Sequence, residues 1–219
     1  MTVSIGAQIG CSANGRAGTL GPLLAKRDSE GVFGLTCSHV LAAGCIGADA
    51  CSSAVCPCVV QSPFLNFASS YNQIGETMDY CRPLSKTAEN DEDFAIFQLS
   101  SETIAEPGIA LDGTSPVPSG NAAVSLVTAA GILTGTIEDI SGSVIKLKLG
   151  DLPFDSFKYK GLIKVRYHSE PQPGNSGGLV FLSSTRRAVG IHVGGSANDG
   201  YFFPIDAFLA KQGFSLIKS

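Results

Sequence analysis

The chain has 219 residues, with 15 lysines and arginines against 19 aspartates and glutamates, a formal charge of −4, and only 16% charged residues. A negative balance with no basic run argues against nucleic acid or a membrane as the main partner, and Lys26-Arg27 and Arg186-Arg187 read as solvated turn pairs. With 44% hydrophobic residues, 26 glycines and 11 prolines, the composition favours short strands joined by tight turns over helices, and the length suits one all-β domain of two barrels or two small domains.

The opening segment, Met1 to Gly10, lacks the basic region and apolar stretch of a secretory signal, and no later window holds 18 apolar residues. A soluble, cytoplasmic chain is expected, although a processed secreted form would read the same. The cysteines stand at 11, 37, 45, 51, 56, 58 and 81, all in the first half. An odd count with a bare second half does not describe a disulfide framework for the whole fold. Reduced thiols, one to three local disulfides, and a metal at Cys51-x4-Cys56-Pro57-Cys58 with Cys45 and Cys81 are the open readings; the metal lacks paired C-x2-C spacing.

From Gly18 the sequence predicts a hairpin: a strand ending near Ala25, a polar turn from Lys26 to Gly31, and a strand from Val32 to Thr36. His39 follows it. Only His168 and His192 are other histidines, so a catalytic base must come from these three; alone, His39 reads equally well as a loop histidine. Residues 44 to 81 read as loops and short strands. Beyond the polar run Ala88 to Glu92, Asp93-Phe94-Ala95-Ile96-Phe97-Gln98-Leu99 reads as a strand opening on an acid. Asp91 and Glu92 are rivals to Asp93, and any of the three could be a solvated loop acid.

Residues 106–120, rich in Pro, Gly, Ser and Asp, read as a linker between units 1–105 and 121–204. Short apolar or alternating segments follow at Ala122 to Thr128, Gly131 to Glu138, Ser143 to Leu149, Leu162 to Tyr167, Leu179 to Leu182, Ala188 to Val193 and Tyr201 to Pro204. Residues 205–219 read as a C-terminal helix and tail. The helix carries apolar residues 205, 208 and 209 on one face, Asp206 near its start and Gly213 to end it.

Between these segments lies Pro173-Gly174-Asn175-Ser176-Gly177-Gly178-Leu179-Val180. Glycines on both sides of Ser176 permit a sharp turn in which N–H groups converge beside a hydroxyl, as a serine nucleophile needs. An α/β-hydrolase elbow would run into a helix, whereas Leu179 to Leu182 reads as a strand. As turn chemistry alone the stretch could also be a hairpin loop, the lesser alternative.

The turn resembles the Gly-Asn/Asp-Ser-Gly-Gly turn of trypsin-like peptidases, with Ser176 as nucleophile. Leu35-Thr36-Cys37-Ser38-His39-Val40-Leu41 is similar to that family's Leu-Thr-Ala-Ala-His segment, which carries the general base, and to the Thr-x-x-His-Val form of its bacterial relatives. Asp93 to Leu99 is similar to its Asp-Ile-Ala-Leu-Leu-x-Leu segment, whose aspartate orients the histidine. The order His39, Asp93, Ser176 is that of the chymotrypsin type and differs from those of subtilisin and the α/β-hydrolases. The resemblance spans most of residues 17 to 213 through four short motifs. It implies an all-β chymotrypsin-like fold of two six-stranded antiparallel β-barrels with a C-terminal helix, His39 and Asp93 on the first barrel and Ser176 on the second. It further implies a serine endopeptidase acting on a protein or peptide through an acyl-enzyme, with the N–H groups of Gly174 and Ser176 receiving the oxyanion and no metal or organic cofactor.

Gly190-Ile191-His192-Val193-Gly194-Gly195 is the fourth motif. It is similar to Gly-Ile-His-x-Gly-Gly of glutamyl endopeptidases and to Gly-x-His-Val-Gly/Ala-Gly of viral 3C-type cysteine peptidases, which accept glutamate and glutamine at P1, the residue before the cleaved bond. The resemblance sets His192, Val193, Gly194 and Gly195 against the substrate, and an imidazole can donate a hydrogen bond to a side-chain carbonyl or carboxylate. P1 Gln or Glu is therefore expected, against the alternative of a core histidine. Glu170, six residues before the nucleophile, stands where the family places its pocket floor and would suit Lys or Arg; Pro171 and Pro173 depart from the pattern, so this reading ranks second. Asn175 replaces the aspartate of the trypsin-type activation switch, and no Ile-Val-Gly-Gly start is present, so activity is expected to be constitutive or controlled in another way. Two further readings stay open: a binding module that kept the fold without catalysis, and a regulatory peptidase with a protein partner in an intracellular assembly.

Overall fold

Short apolar runs punctuated by glycine and proline become strands throughout. A computed structural model describes residues 1–11, 17–41, 59–61, 72–140, 142–149 and 156–218. In the first half these form β1 (Thr2–Ser4), β2 (Gln8–Cys11), β3 (Ala17–Thr19), β4 (Leu23–Lys26), β5 (Phe33–Thr36), the single turn α1 (Ser38–Leu41), β6 (Val59–Gln61), β7 (Asn72–Cys81), β8 (Glu89–Asn90), β9 (Ala95–Leu99) and β10 (Ile104–Glu106). The second half contributes β11 (Ala123–Thr128), β12 (Gly131–Asp139), β13 (Ile145–Lys148), β14 (Ser156–Tyr159), β15 (Ile163–Tyr167), β16 (Leu179–Leu182), β17 (Ala188–Ser196), β18 (Asp199–Pro204), α2 (Asp206–Gln212) and β19 (Phe214–Leu216). No helix among the described residues is long and apolar enough to cross a membrane.

In the second half β11-β12-β15-β18-β17-β16 close into an antiparallel six-stranded barrel, β16 returning to pair with β11. Period-two alternation builds it: on β15, Ile163, Val165 and Tyr167 face inward while Lys164 and Arg166 face out. The inward set joins Val124, Leu126, Ile137, Val180, Leu182, Val189 and Phe202 in one core. The outward pair meets carboxylates on both flanking strands, Lys164 bridging Glu138 and Asp199 at 2.9 and 3.1 Å, and Arg166 the same two at 3.2 and 3.0 Å. These exposed pairs fix register more than they add stability.

The first half departs from the expected second barrel. Seven of its strands and β19 from the tail form one sheet in the order β19-β4-β5-β9-β7-β6-β2-β3, which does not close among the described residues, while β1 and β10 pair apart from it. At the β3 edge, where a barrel would pair another strand, the Thr19 N–H donates instead to the Ser176 carbonyl at 2.7 Å. At the other edge β19 pairs antiparallel with β4, Phe214 opposite Lys26 and Leu216 opposite Leu24. The tail therefore returns to the first half after α2, which Gly213 ends in the left-handed region, its N–H reaching the Ala210 carbonyl. The β4–β5 hairpin forms as its sequence predicts, turning through Asp28 and Gly31 at positive φ.

The larger core ignores the midpoint of the chain. It joins Leu20, Leu35, Phe94 and Phe97 to Leu179, Ile191, Phe203, Phe208 and Tyr159. Residues 143–149, expected as a strand like the others, lie outside the barrel: β13 pairs with β14, and β14 pairs in parallel with β8 of the first half. A hairpin from the second half thus lies across the first. Cys11 is disulfide-bonded while Cys37 and Cys81 are free thiols; Cys45, Cys51, Cys56 and Cys58 lie outside the described residues.

Candidate active site

The antiparallel register of β5 and β9 places Thr36 opposite Ala95. The residues just beyond these paired ends must meet, and the Ser38 N–H donates to the Asp93 carbonyl at 3.2 Å. The side chains converge as well. His39 Nδ1 lies 2.7 Å from Asp93 Oδ2, while the Ser38 hydroxyl and the His39 N–H donate to Oδ1 at 2.8 and 3.0 Å. A fourth donor comes from the second half, the Tyr159 hydroxyl at 2.9 Å from Oδ2. Asp93 has no exposed surface and His39 is 6% exposed.

Burial alone would raise the Asp93 carboxyl, yet the imidazole beside it and the hydrogen bonds from His39 and Ser38 hold it below its ordinary range. A carboxylate facing Nδ1 fixes the proton there and leaves Nε2 as the acceptor. Asp91 is exposed and pairs with Arg82, and Glu92 accepts the Tyr80 hydroxyl, so neither of these rivals faces the histidine.

The serine turn is held from within. The Asn175 N–H donates to the Gln172 carbonyl at 3.1 Å, and the Asn175 side-chain oxygen accepts the Gln172 N–H at 2.8 Å. Gly174 has φ +91, which closes a type II turn with Pro173 at its first corner. That geometry leaves the Gly174 N–H outside the turn's own bond, and neither it nor the Ser176 N–H has a partner among the described residues. Gly177, also at φ +91, admits no side chain: a Cβ there would stand 2.1 Å from Thr36 Oγ1 and 2.4 Å from the Thr19 carbonyl oxygen. The turn therefore packs directly on the strand that leads to His39. A Cβ on Gly18 would touch both Val40 and the Ser176 carbonyl oxygen, at 2.4 and 2.7 Å, so the serine backbone and α1 share one small space.

Within this space the Ser176 hydroxyl donates to the Val193 carbonyl at 2.8 Å and not to His39. The expected row of hydroxyl, imidazole and carboxylate is present as an imidazole–carboxylate pair with the serine bonded beside it.

His192 is 2% exposed, its ring edge-on to Tyr167 at 5.8 Å between centroids. Burial, with the nearby His39 second, pushes its pKa from 6.5 down to about 3. Its Nδ1 and the Tyr167 hydroxyl are buried polar groups without a partner among the described residues. Its carbonyl accepts the Gly177 N–H at 2.7 Å and the Cys37 thiol at 3.2 Å. Beyond His192 a register shift separates it from Gly194, and Gly194 and Gly195 pair with Tyr201 and Gly200 on β18, while the β16 pairing ends at Ile191. From Val193 onward the second edge of β17 carries no strand among the described residues. Glu170 is exposed, and His168 bonds to Thr134 at 3.0 Å.

The Cys37, His39 and Asp93 donor atoms lie within 4.8 Å of one another. Burial, then the Asp93 charge, raises the Cys37 thiol well above its ordinary value, and every member already has a hydrogen-bond partner, so the cluster suits a proton network better than a metal. Sequence reasoning singled out His39, Asp93 and Ser176 as candidates but not Tyr159, Ser38 or the turn-closing amide of Asn175, which the structure sets around them. Ser38 borders the histidine and Asn175 the serine; Tyr159 carries no local signal.

A family described as the trypsin-like peptidase domain matches residues 26–191. Among solved structures, protease A of Thermobifida fusca superposes with a TM-score of 0.65 at 17% identity over 100% of both chains. A Nocardiopsis protease gives 0.65 at 15% identity over 99% of each chain. A glutamic acid-specific serine protease, described as using a histidine triad in substrate binding, gives 0.62 at 15% identity over 98% of this chain and 100% of its own. At these identities the likeness is one of fold. No curated protein sequence matches the chain.

Proposed function

The chain belongs to the trypsin-like peptidase domain family, and from that premise we propose that it is a serine endopeptidase working through Ser176, His39 and Asp93. The observation that carries this reading is the buried His39–Asp93 pair, 2.7 Å between Nδ1 and Oδ2, beside a serine turn whose Gly174 and Ser176 N–H groups are unclaimed among the described residues.

The chemistry follows from these positions. In this mechanism the Ser176 side chain turns to another staggered rotamer, releasing the Val193 carbonyl so that its hydroxyl meets His39 Nε2. As Oγ attacks the peptide carbonyl, Nε2 takes its proton and Asp93 stabilises the imidazolium. The Gly174 and Ser176 N–H groups receive the negative charge on the former carbonyl oxygen. The imidazolium then protonates the departing amine, and water repeats the sequence to free the acid. A substrate strand on the open edge of β17 would bond to the Val193 carbonyl through its own N–H, displacing the serine hydroxyl toward the base.

For P1 the reading is Gln first and Glu second. A His192 held neutral by burial can donate to an amide carbonyl but supplies no positive charge to offset a buried carboxylate. A basic P1 residue would need a buried countercharge, and Glu170 is exposed.

The second reading, a latent or catalytically silent form of the fold, is favoured by the Ser176–Val193 bond. Fluorophosphonate labelling separates the two: modification at Ser176 supports the peptidase, and an unlabelled folded protein supports the latent form. Cleavage of a peptide library, read for P1, tests the pocket; a preference for Lys or Arg would reject the role given to His192.

A further inference from the structure

Three of the four donors to Asp93 come from residues 38 and 39, next to one another in the chain. The fourth, Tyr159, arrives from the far half and bonds to Oδ2, the same oxygen that faces His39 Nδ1. We propose that Tyr159 is a positioning residue for the base: its hydroxyl fixes the rotation of the Asp93 carboxylate and disperses the charge that orients and stabilises His39. The catalytic meaning of this rests on the peptidase reading above; the hydrogen-bond arrangement does not.

The placement is built rather than incidental. Asn90, three residues before Asp93, clasps the strand that carries the tyrosine. Its side-chain N–H donates to the Lys158 carbonyl at 3.0 Å and to the Ser85 carbonyl at 2.9 Å, and its side-chain oxygen accepts the Ser85 N–H at 2.8 Å. Its backbone carbonyl accepts the Lys160 N–H at 2.9 Å. Residues on both sides of Tyr159 are thus tied to the segment that leads into Asp93, which sets the two side chains in register. The ring packs edge-on to Phe203 at 5.8 Å and has no exposed surface.

A phenylalanine would fill the same space, and a buried hydroxyl without a partner would be destabilising. The tyrosine must therefore spend its hydrogen somewhere, and it spends it on the carboxylate. Burial first and the Asp93 charge second raise its phenol well above its ordinary range, so it stays a donor over the whole working pH range. Oδ2 then shares its negative charge between two donors, and the imidazolium formed during catalysis faces a moderated partner.

The test is Tyr159→Phe in the full chain. With the phenol gone, more charge rests on Oδ2 and the imidazolium is better stabilised, so the acid limb of the kcat/KM profile moves to higher pH. At the same time the carboxylate is no longer held in one rotation and the imidazole loses its fixed orientation, so kcat falls roughly tenfold, the scale of one hydrogen bond to a charged group, with KM little changed. A limb and kcat that stay at the parent values overturn the proposal, as does a loss carried wholly by KM. The downfield proton resonance between His39 Nδ1 and Asp93 gives a readout independent of turnover: it moves further downfield in Tyr159→Phe, and an unmoved resonance overturns the proposal even if the parent proves latent. If Tyr159→Phe does not fold, site-specific 3-fluorotyrosine at 159, a more acidic phenol and a stronger donor, must shift the same resonance the opposite way. A parent that neither labels with fluorophosphonate nor cleaves peptide would remove the peptidase reading alone.

Discussion

In the first half the imidazole and carboxylate are locked before any substrate arrives, because strands ending at Thr36 and Ala95 are register neighbours and four donors converge on Asp93. In the second half the serine backbone is equally constrained, by the Asn175 clasp and by Gly177 against Thr36, but its hydroxyl bonds to a strand carbonyl. The difference teaches that the His39–Asp93 pair is fixed by the ends of paired strands, while the Ser176 hydroxyl sits on a constrained turn with its side-chain rotamer as the remaining freedom.

Removing either side's reacting group breaks the comparison outright. Ser176→Ala should lower kcat/KM by on the order of 10⁴-fold or more while leaving the thermal midpoint near the parent's; retained turnover would show that another group attacks. On the locked side, Asp93→Asn keeps the shape but loses the charge and lets Nδ1 and Nε2 exchange their proton. A drop of roughly 10³- to 10⁴-fold in kcat is expected, and a change below tenfold would assign the carboxylate a structural part only.

A smaller effect tests the constrained backbone of the serine turn. Gly177→Ala forces a Cβ toward Thr36 Oγ1 and the Thr19 carbonyl in a conformation that costs about 1–2 kcal/mol for an L-residue even in open space. We expect about a hundredfold loss of kcat together with a lower unfolding midpoint; loss of stability with full kcat would show that the turn does not position the donors.

The mildest perturbation is of pH. The folded pKa of His192 is depressed to about 3 from 6.5, so its contribution to stability is complete above pH 6.5 and declines as pH falls toward 3, where the unfolded chain takes a proton that the folded one refuses. The depressed Asp93 carboxyl acts only lower, below its ordinary 3.8. Urea unfolding at pH 7 and pH 5 should show a parent weakened by on the order of 2 kcal/mol, and His192→Gln should lose most of that slope. An equal slope in both proteins would mean that the ring is protonated when folded.

Much of this was legible in the chain. The β4–β5 hairpin, the acid-led strand β9, the glycine turn and α2 each carry local signals: turn residues at fixed offsets, period-two apolar runs, and a terminating Gly213. What escaped depends on distant pairing. Phe214-Ser215-Leu216 is too short to announce a strand, and its partner β4 lies nearly two hundred residues away. The expectation of two closed barrels is not met by the described residues of the first half, where the β3 edge meets the Ser176 carbonyl in place of a strand, a long-range contact that local sequence does not encode. Tyr159 stands in an unremarkable Lys-Tyr-Lys alternation, and only the clasp of Asn90 reveals where its hydroxyl goes. The Ser176 rotamer has no sequence signature at all.

The pairing of β19 with β4 makes the completion of the first sheet depend on the segment that follows the barrel. The sheet whose strand ends carry His39 and Asp93 gains its outermost strand only from residues 214–216, which follow all six strands of the barrel in the chain. Until residues 214–216 dock, the β4 edge has no partner on that side and is open to neighbouring polypeptides.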